Sequence, residues 1–167
     1  MFKKIVLFAI LIIPVMTFAQ ETQKIAYVNH DEVFTAMPEV RQASDSLTKV
    51  GESFQAELKT MSDEYEKKFT DFIEQQETLS EAIKIRRQAD LNDLRERTNN
   101  FQQYAGQKIQ ELEQALVVPI QEKLKKAIND VGKENNFLYI ADSRVLLYIS
   151  TNAVDATPLV KKKLGIQ

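Results

Sequence analysis

The chain has 167 residues, enough for one domain, with no cysteine, no tryptophan, one histidine and four glycines. Absent cysteine removes disulfides, thiolate catalysis and most structural zinc sites together. The formal net charge is −2, and nucleic acid is a poor partner for such a chain because phosphate binding needs a basic patch.

Residues 1–19 read as a secretory leader. Lys3 and Lys4 precede the apolar run Ile5–Ile13, and Pro14 leads to Thr17-Phe18-Ala19, so cleavage is expected after Ala19. The run is shorter than the roughly 20 residues that span a bilayer. Lipoprotein processing needs a cysteine and is excluded. The expected location is the periplasm, and the mature chain, without Lys3 and Lys4, sets 20 basic residues against 24 acidic ones, a net −4.

Lys24–Asn29 is a β-branched and aromatic run and reads as a strand. Asp31–Met37 reads as a short helix with Asn29 or His30 near its start, and Pro38 suits the first turn of the next helix. From Pro38 to about Lys133, apolar residues recur at three- and four-residue steps. Ala43, Leu47, Val50, then Phe54, Leu58, Met61, then Tyr65, Phe69, Phe72 form an eleven-residue repeat, which runs almost straight along a helix. Leu91, Leu94, Phe101, Ala105, Ile109, Leu112, Leu116, Ile120, Leu124, Ala127 and Val131 continue the stripe. It weakens between Phe72 and Leu91, where Thr78-Leu79-Ser80-Glu81 fits a capping box. The expectation is a hairpin of two antiparallel helices, about 38–77 and 79–133, turning near 77–80; one continuous coiled-coil helix is the alternative. Pro119 removes a hydrogen bond inside the second helix, and a kink is expected there.

Charge divides along this stretch. Eight acids and three lysines lie between Glu52 and Glu77, whereas Ile83–Arg97 holds Lys84, Arg86, Arg87, Arg95 and Arg97 against Asp90, Asp93 and Glu96. The tip therefore reads as mildly positive, either a solvated face or a contact for an acidic partner or a membrane surface.

Beyond Asn135-Asn136, Phe137–Ala141 and Val145–Ile149 read as two strands of a hairpin around Asp142-Ser143-Arg144. Val145, Leu147 and Ile149 fall on one side and Leu146 and Tyr148 on the other, so both faces need cover; self-association is the simplest supply. Thr157-Pro158 reads as the cap and start of a last helix that stops at Gly165. No catalytic constellation stands out. His30 has no second histidine or cysteine to share a metal, the acids follow helix surfaces, and the glycines stand alone rather than in a phosphate loop. The expectation is no enzyme and no cofactor.

The terminal blocks resemble the Skp/OmpH family of periplasmic chaperones. Lys24–Asn29 with Phe34 carries this at the start, and Ala127–Val131, Leu138–Asp142, Val145–Tyr148 and Asp155–Val160 carry it at the end. The resemblance implies an α+β, mostly helical fold in which a homotrimeric β-barrel body (20–37 plus 134–167) carries the hairpin (38–133) as a tentacle. It implies ATP-independent holding of unfolded outer-membrane proteins in a cavity between tentacles. Ile25, Tyr27, Val28, Leu138, Ile140, Val145, Leu147 and Ile149 are the candidates for the trimer body. Phe54, Tyr65, Phe69, Phe72, Ile83, Lys84, Arg86 and Arg87 are the candidates for client contact. The departure is charge, since the best-known members are strongly basic. A structural or adaptor coiled coil that binds one folded envelope partner is the alternative function.

Overall fold

The computed structural model describes residues 24–166; the leader and cleavage point expected at 1–19 lie outside them. The elements run β1 (Lys24–Val28), α1 (His30–Ala36), α2 (Pro38–Gln75), α3 (Glu81–Glu134), β2 (Phe137–Asp142), a 3-10 turn (Ser143–Val145), β3 (Val154–Asp155) and α4 (Thr157–Leu164). The fold is mostly helical, with long helices and a small sheet.

The two long helices are built from residues that favour helix, with Pro38 at the first turn of α2. At 38 and 54 residues they span about 57 Å and 81 Å. They run antiparallel. Glu39 pairs with Lys123 near the base, Phe54 meets Phe101 midway, and Arg87 donates to Gln75 at the tip (3.0 Å). Buried Phe72, Leu91, Leu94 and Ala105 mark the seam. Pro119 lies inside α3, which continues through it to Glu134.

The expected capping box is not formed. Helix α3 begins one residue past Ser80, whose carbonyl accepts from the Ile83 and Lys84 amides, both at 3.0 Å. That puts Glu81 in the first turn rather than at the third helical position, out of register for a reciprocal bond with Thr78. The Thr78 hydroxyl instead donates to the Gln75 carbonyl (2.9 Å), closing the end of α2. At the other end of α3, Asn135 donates from its backbone and its side chain to the Val131 carbonyl, and Asn136 takes φ 53°, so the two asparagines stop the helix as expected.

The sheet departs from the expected hairpin. Its order is β2-β1-β3 with both pairings parallel: Ile25 opposite Tyr139, Tyr27 opposite Ala141, Ala26 opposite Val154. Residues 145–149 are not a strand. Asp142 turns the chain by accepting from the Arg144 amide (3.1 Å), and Ser143–Val145 forms a 3-10 turn. A parallel partner on the far side of β1 requires the chain to cross the sheet and return. The helices occupy one face, so residues 146–153 cross the other.

The core lies between the sheet and the helices. Ala26 and Val28 point into it with Val33, Met37, Leu124, Ala127, Val131, Ala156 and Val160. Thr157 is its buried polar residue. Its hydroxyl does not cap α4; it accepts from the Asn29 amide (3.0 Å), tying the end of β1 to the last helix. Gly165 ends α4 at φ 73°, a left-handed stop that glycine supplies without steric cost.

Candidate functional surfaces

Two surfaces stand out once the core is accounted for. The first is the outer face of the sheet. Successive residues of a strand alternate between faces, so with Ala26 and Val28 buried, Ile25 and Tyr27 face outward beside Tyr139. Residues 146–153 pass over this face and leave a groove of about 520 Å³, lined among others by Ile25, Tyr27, Tyr139, Leu146, Tyr148 and Ile149. Val145 and Leu147 do not line it and are exposed. Leu147 is fully exposed at 106% and Tyr148 is 82% exposed, so this part of the body leaves large apolar side chains open to solvent.

The eight candidates for the body therefore divide. Ile25, Leu138, Val145 and Leu147 are exposed, Tyr27 is half-buried, and Ile149 lines the groove. Val28, 3% exposed, belongs to the protomer's own core, and Ile140 packs against that core. Sequence reasoning missed Tyr139, Leu146 and Tyr148 as members of this surface. Leu146 and Tyr148 were visible only as the second side of a strand that does not exist.

An ionic corner holds the crossing segment. Arg144 donates through Nε and a terminal nitrogen to Asp142 (3.1 and 2.7 Å to Oδ2) and pairs with Asp31 of α1. These bonds from Arg144 hold the Asp142 carboxyl below its ordinary pKa, with the positive charge of the guanidinium adding to them. Lys161 of α4 bridges to Glu32 of α1 (2.7 Å).

The second surface is the shaft, where the client-contact candidates also divide. Phe54 sits in the seam, edge-on to Phe101 (5.8 Å, 82°) and Tyr104 (6.2 Å, 71°), and Phe72 is buried between the helices. Tyr65 stacks on Phe69 at 6.1 Å. Phe69 and Ile83 are exposed, as are Ile73, Ile85, Tyr104 and Val118, which the stripe did not single out. Their signal was apolar character off the stripe, which periodicity discards.

The basic tip is largely neutralised by its neighbours. Lys84 pairs with Glu81 (2.8 Å). Arg87 lies beside Asp71, Gln75 and Asp90, while Arg86 is exposed. Folding back α2 brings Asp71, Glu74 and Glu77 to the same end, so residues 69–90 hold five acids against three bases. The positive tip read along the chain is thus not a positive tip in space.

No group of three or more His, Asp or Glu side chains suited to a metal occurs among the described residues. No described helix is long and apolar enough to cross a membrane.

The family model for outer membrane protein (OmpH-like) matches residues 24–164. The chain belongs to that family. A solved structure from Caulobacter crescentus, described as an OmpH-like outer membrane chaperone candidate, superposes with a TM-score of 0.74. It is 13% identical, and the match covers 85% of this chain and 83% of that one; at that identity the likeness speaks to the fold. No curated protein matches the chain. For an OmpH-like chain, the parallel three-stranded sheet and the two unequal helices of the hairpin are the frame on which both surfaces sit.

Proposed function

We propose that this OmpH-like protein is an ATP-independent holdase chaperone of the periplasm that binds unfolded outer-membrane proteins and keeps them from aggregating. In this reading it works as a homotrimer. The strands of three protomers form a small β-barrel body, and three hairpins project around a cavity. The observation that carries the reading is the division of apolar surface. One patch, on the body, includes a fully exposed Leu147 and suits burial against copies of the same chain. A second set of exposed apolar side chains, Phe69, Ile73, Ile83 and Ile85, lies on a hairpin far from that body.

Such a wall meets extended chains without a side-chain code, because isolated apolar contacts in water discriminate weakly between sequences. With five acids against three bases, the tip favours client contact through apolar burial over attraction of acidic segments. The description of the Caulobacter chain as an outer membrane chaperone candidate supports the same reading.

Two measurements test it. Light scattering after size exclusion of the mature chain should give three times the protomer mass, and a monomer at micromolar concentration would sink the architecture. The chain should also suppress aggregation of a urea-diluted β-barrel protein without nucleotide, and no suppression would sink the activity. Affinity capture of one folded protein in fixed proportion, in place of many unfolded ones, would favour the adaptor reading.

A further inference from the structure

The chain holds one histidine, His30, and no cysteine. Histidine is the side chain that ordinarily changes charge between pH 5 and 8, so a response of this protein in that window has one side chain to come from. His30 is the first residue of α1, directly after the Asn29 cap. Its ring stacks on Phe34 one turn along, with centroids 6.0 Å apart and planes at 11°. The stack holds the ring with Nδ1 turned inward. Among the described residues, Nδ1 is the one buried side-chain nitrogen or oxygen without a hydrogen-bond partner, a desolvation cost that no bond offsets.

Asp31 Oδ1 lies 3.7 Å from Nδ1, too far for a hydrogen bond. The other oxygen of that carboxylate, Oδ2, pairs with Arg144. Arg144 also binds Asp142, whose carboxyl lies near enough to respond to charge on His30. His30, Asp31, Arg144 and Asp142 thus form a chain with one link open. The other charged groups around α1 are engaged elsewhere. Glu32 is bridged by Lys161 of α4, Glu39 at the start of α2 by Lys123 of α3, and Asp155 of β3 accepts from the Thr157 amide. Two carboxylates therefore share one guanidinium, and the corner lacks a positive charge while the imidazole is neutral. A neutral ring has one N–H, for Nδ1 or for Nε2, whereas a protonated ring donates from both.

We propose that His30 is a proton-operated latch on the crossing segment: the proton it takes supplies the missing bond to Asp31 and tightens the corner from which residues 146–153 start over the sheet. Asp142 and Arg144 make that turn, and the exposed Leu147 and Tyr148 follow directly beyond it. The presentation of this apolar surface is thereby tied to the charge on one ring. The latch rests on the fold and not on the chaperone reading, and either can fail without the other.

The test uses the whole mature chain. It has no tryptophan, so Tyr148→Trp places a single emitter on the crossing segment. Its emission should shift in one single-proton step between pH 5 and 8. The shift should be lost with His30→Gln, which keeps a hydrogen-bonding side chain but takes no proton, and with Asp31→Asn, which removes the charge the ring would meet. In the unsubstituted chain, NMR should show the amides of 142–148 moving with the same midpoint as the His30 ring. The α-amino group left by leader cleavage titrates near the same range, but His30→Gln leaves it intact. A shift that survives either substitution would overturn the latch, as would amides at 142–148 that stay fixed while the ring titrates.

Discussion

Phe54 of α2 and Phe101 of α3 meet edge to face, with ring centroids 5.8 Å apart and planes at 82°. This contact sets the register of the hairpin, because it fixes which turn of one helix lies against which turn of the other. Edge-to-face pairs add about 0.5–1.5 kcal/mol beyond the area they bury. Phe101→Ala should therefore destabilise the hairpin by about 2 kcal/mol, the ring being half-buried rather than fully so. Denaturant unfolding followed by circular dichroism checks this. A change below about 0.5 kcal/mol would mean that the register is held elsewhere.

The body should respond more strongly. Leu124 is completely buried, at the centre of the cluster that joins α3 to the sheet and α4. Leu124→Ala should cost about 2–5 kcal/mol, the transfer loss plus the cavity left behind. Thermal unfolding of the two chains at equal concentration measures it.

Leu147 and Phe69 separate assembly from client retention. Leu147 is fully exposed in the protomer, so Leu147→Asp leaves the isolated fold unburdened. In an assembly that covers it, the substitution buries an unpaired charge at large cost. The expected product is a folded monomer by light scattering, and a normal trimer would refute the placement of Leu147 in the interface. Phe69→Ser, on the shaft, should leave trimers intact and shorten the lifetime of client complexes in the aggregation assay.

The Arg144–Asp142 corner predicts a pH dependence with a definite sign. Hydrogen bonds from Arg144 lower the Asp142 pKa in the folded state, so the folded state favours the ionised carboxylate. That stability is fully present above the unfolded value of about 3.9 and is lost as pH falls through the lower folded value. Asp142→Asn should cost about 1 kcal/mol at neutral pH, a small figure because the corner is partly exposed. The gap between variant and parent should close in acid below about pH 4. Unfolding titrations from pH 2 to pH 7 supply the comparison, and a gap that stays constant across that range would remove the carboxylate from the account.

By itself the sequence determined the parts that rest on local preference and periodicity. The stripe from Ala43 to Val131 specified long helix, since a 3.6-residue repeat buries one face only in a helix, while the break into two was read from a weakened stripe and a capping box that does not form. Asn135-Asn136 and Gly165 marked helix ends through their tolerance of left-handed backbone. The terminal blocks carried the family resemblance, and the family model now spans 24–164. Tertiary structure decided the rest. Residues 145–149 are as apolar as any strand, but the parallel pairing of β3 with β1 draws them across the open face of the sheet instead. Val28 and Tyr27 read alike in a run apolar on both sides, and only the helices packed on one face separate core from surface. The charge of the tip emerged when α2 folded back beside α3, because charges sum over space and not along the chain. Those long-range pairings lie outside any window of local sequence, and they set where the apolar surface of this protein is left open.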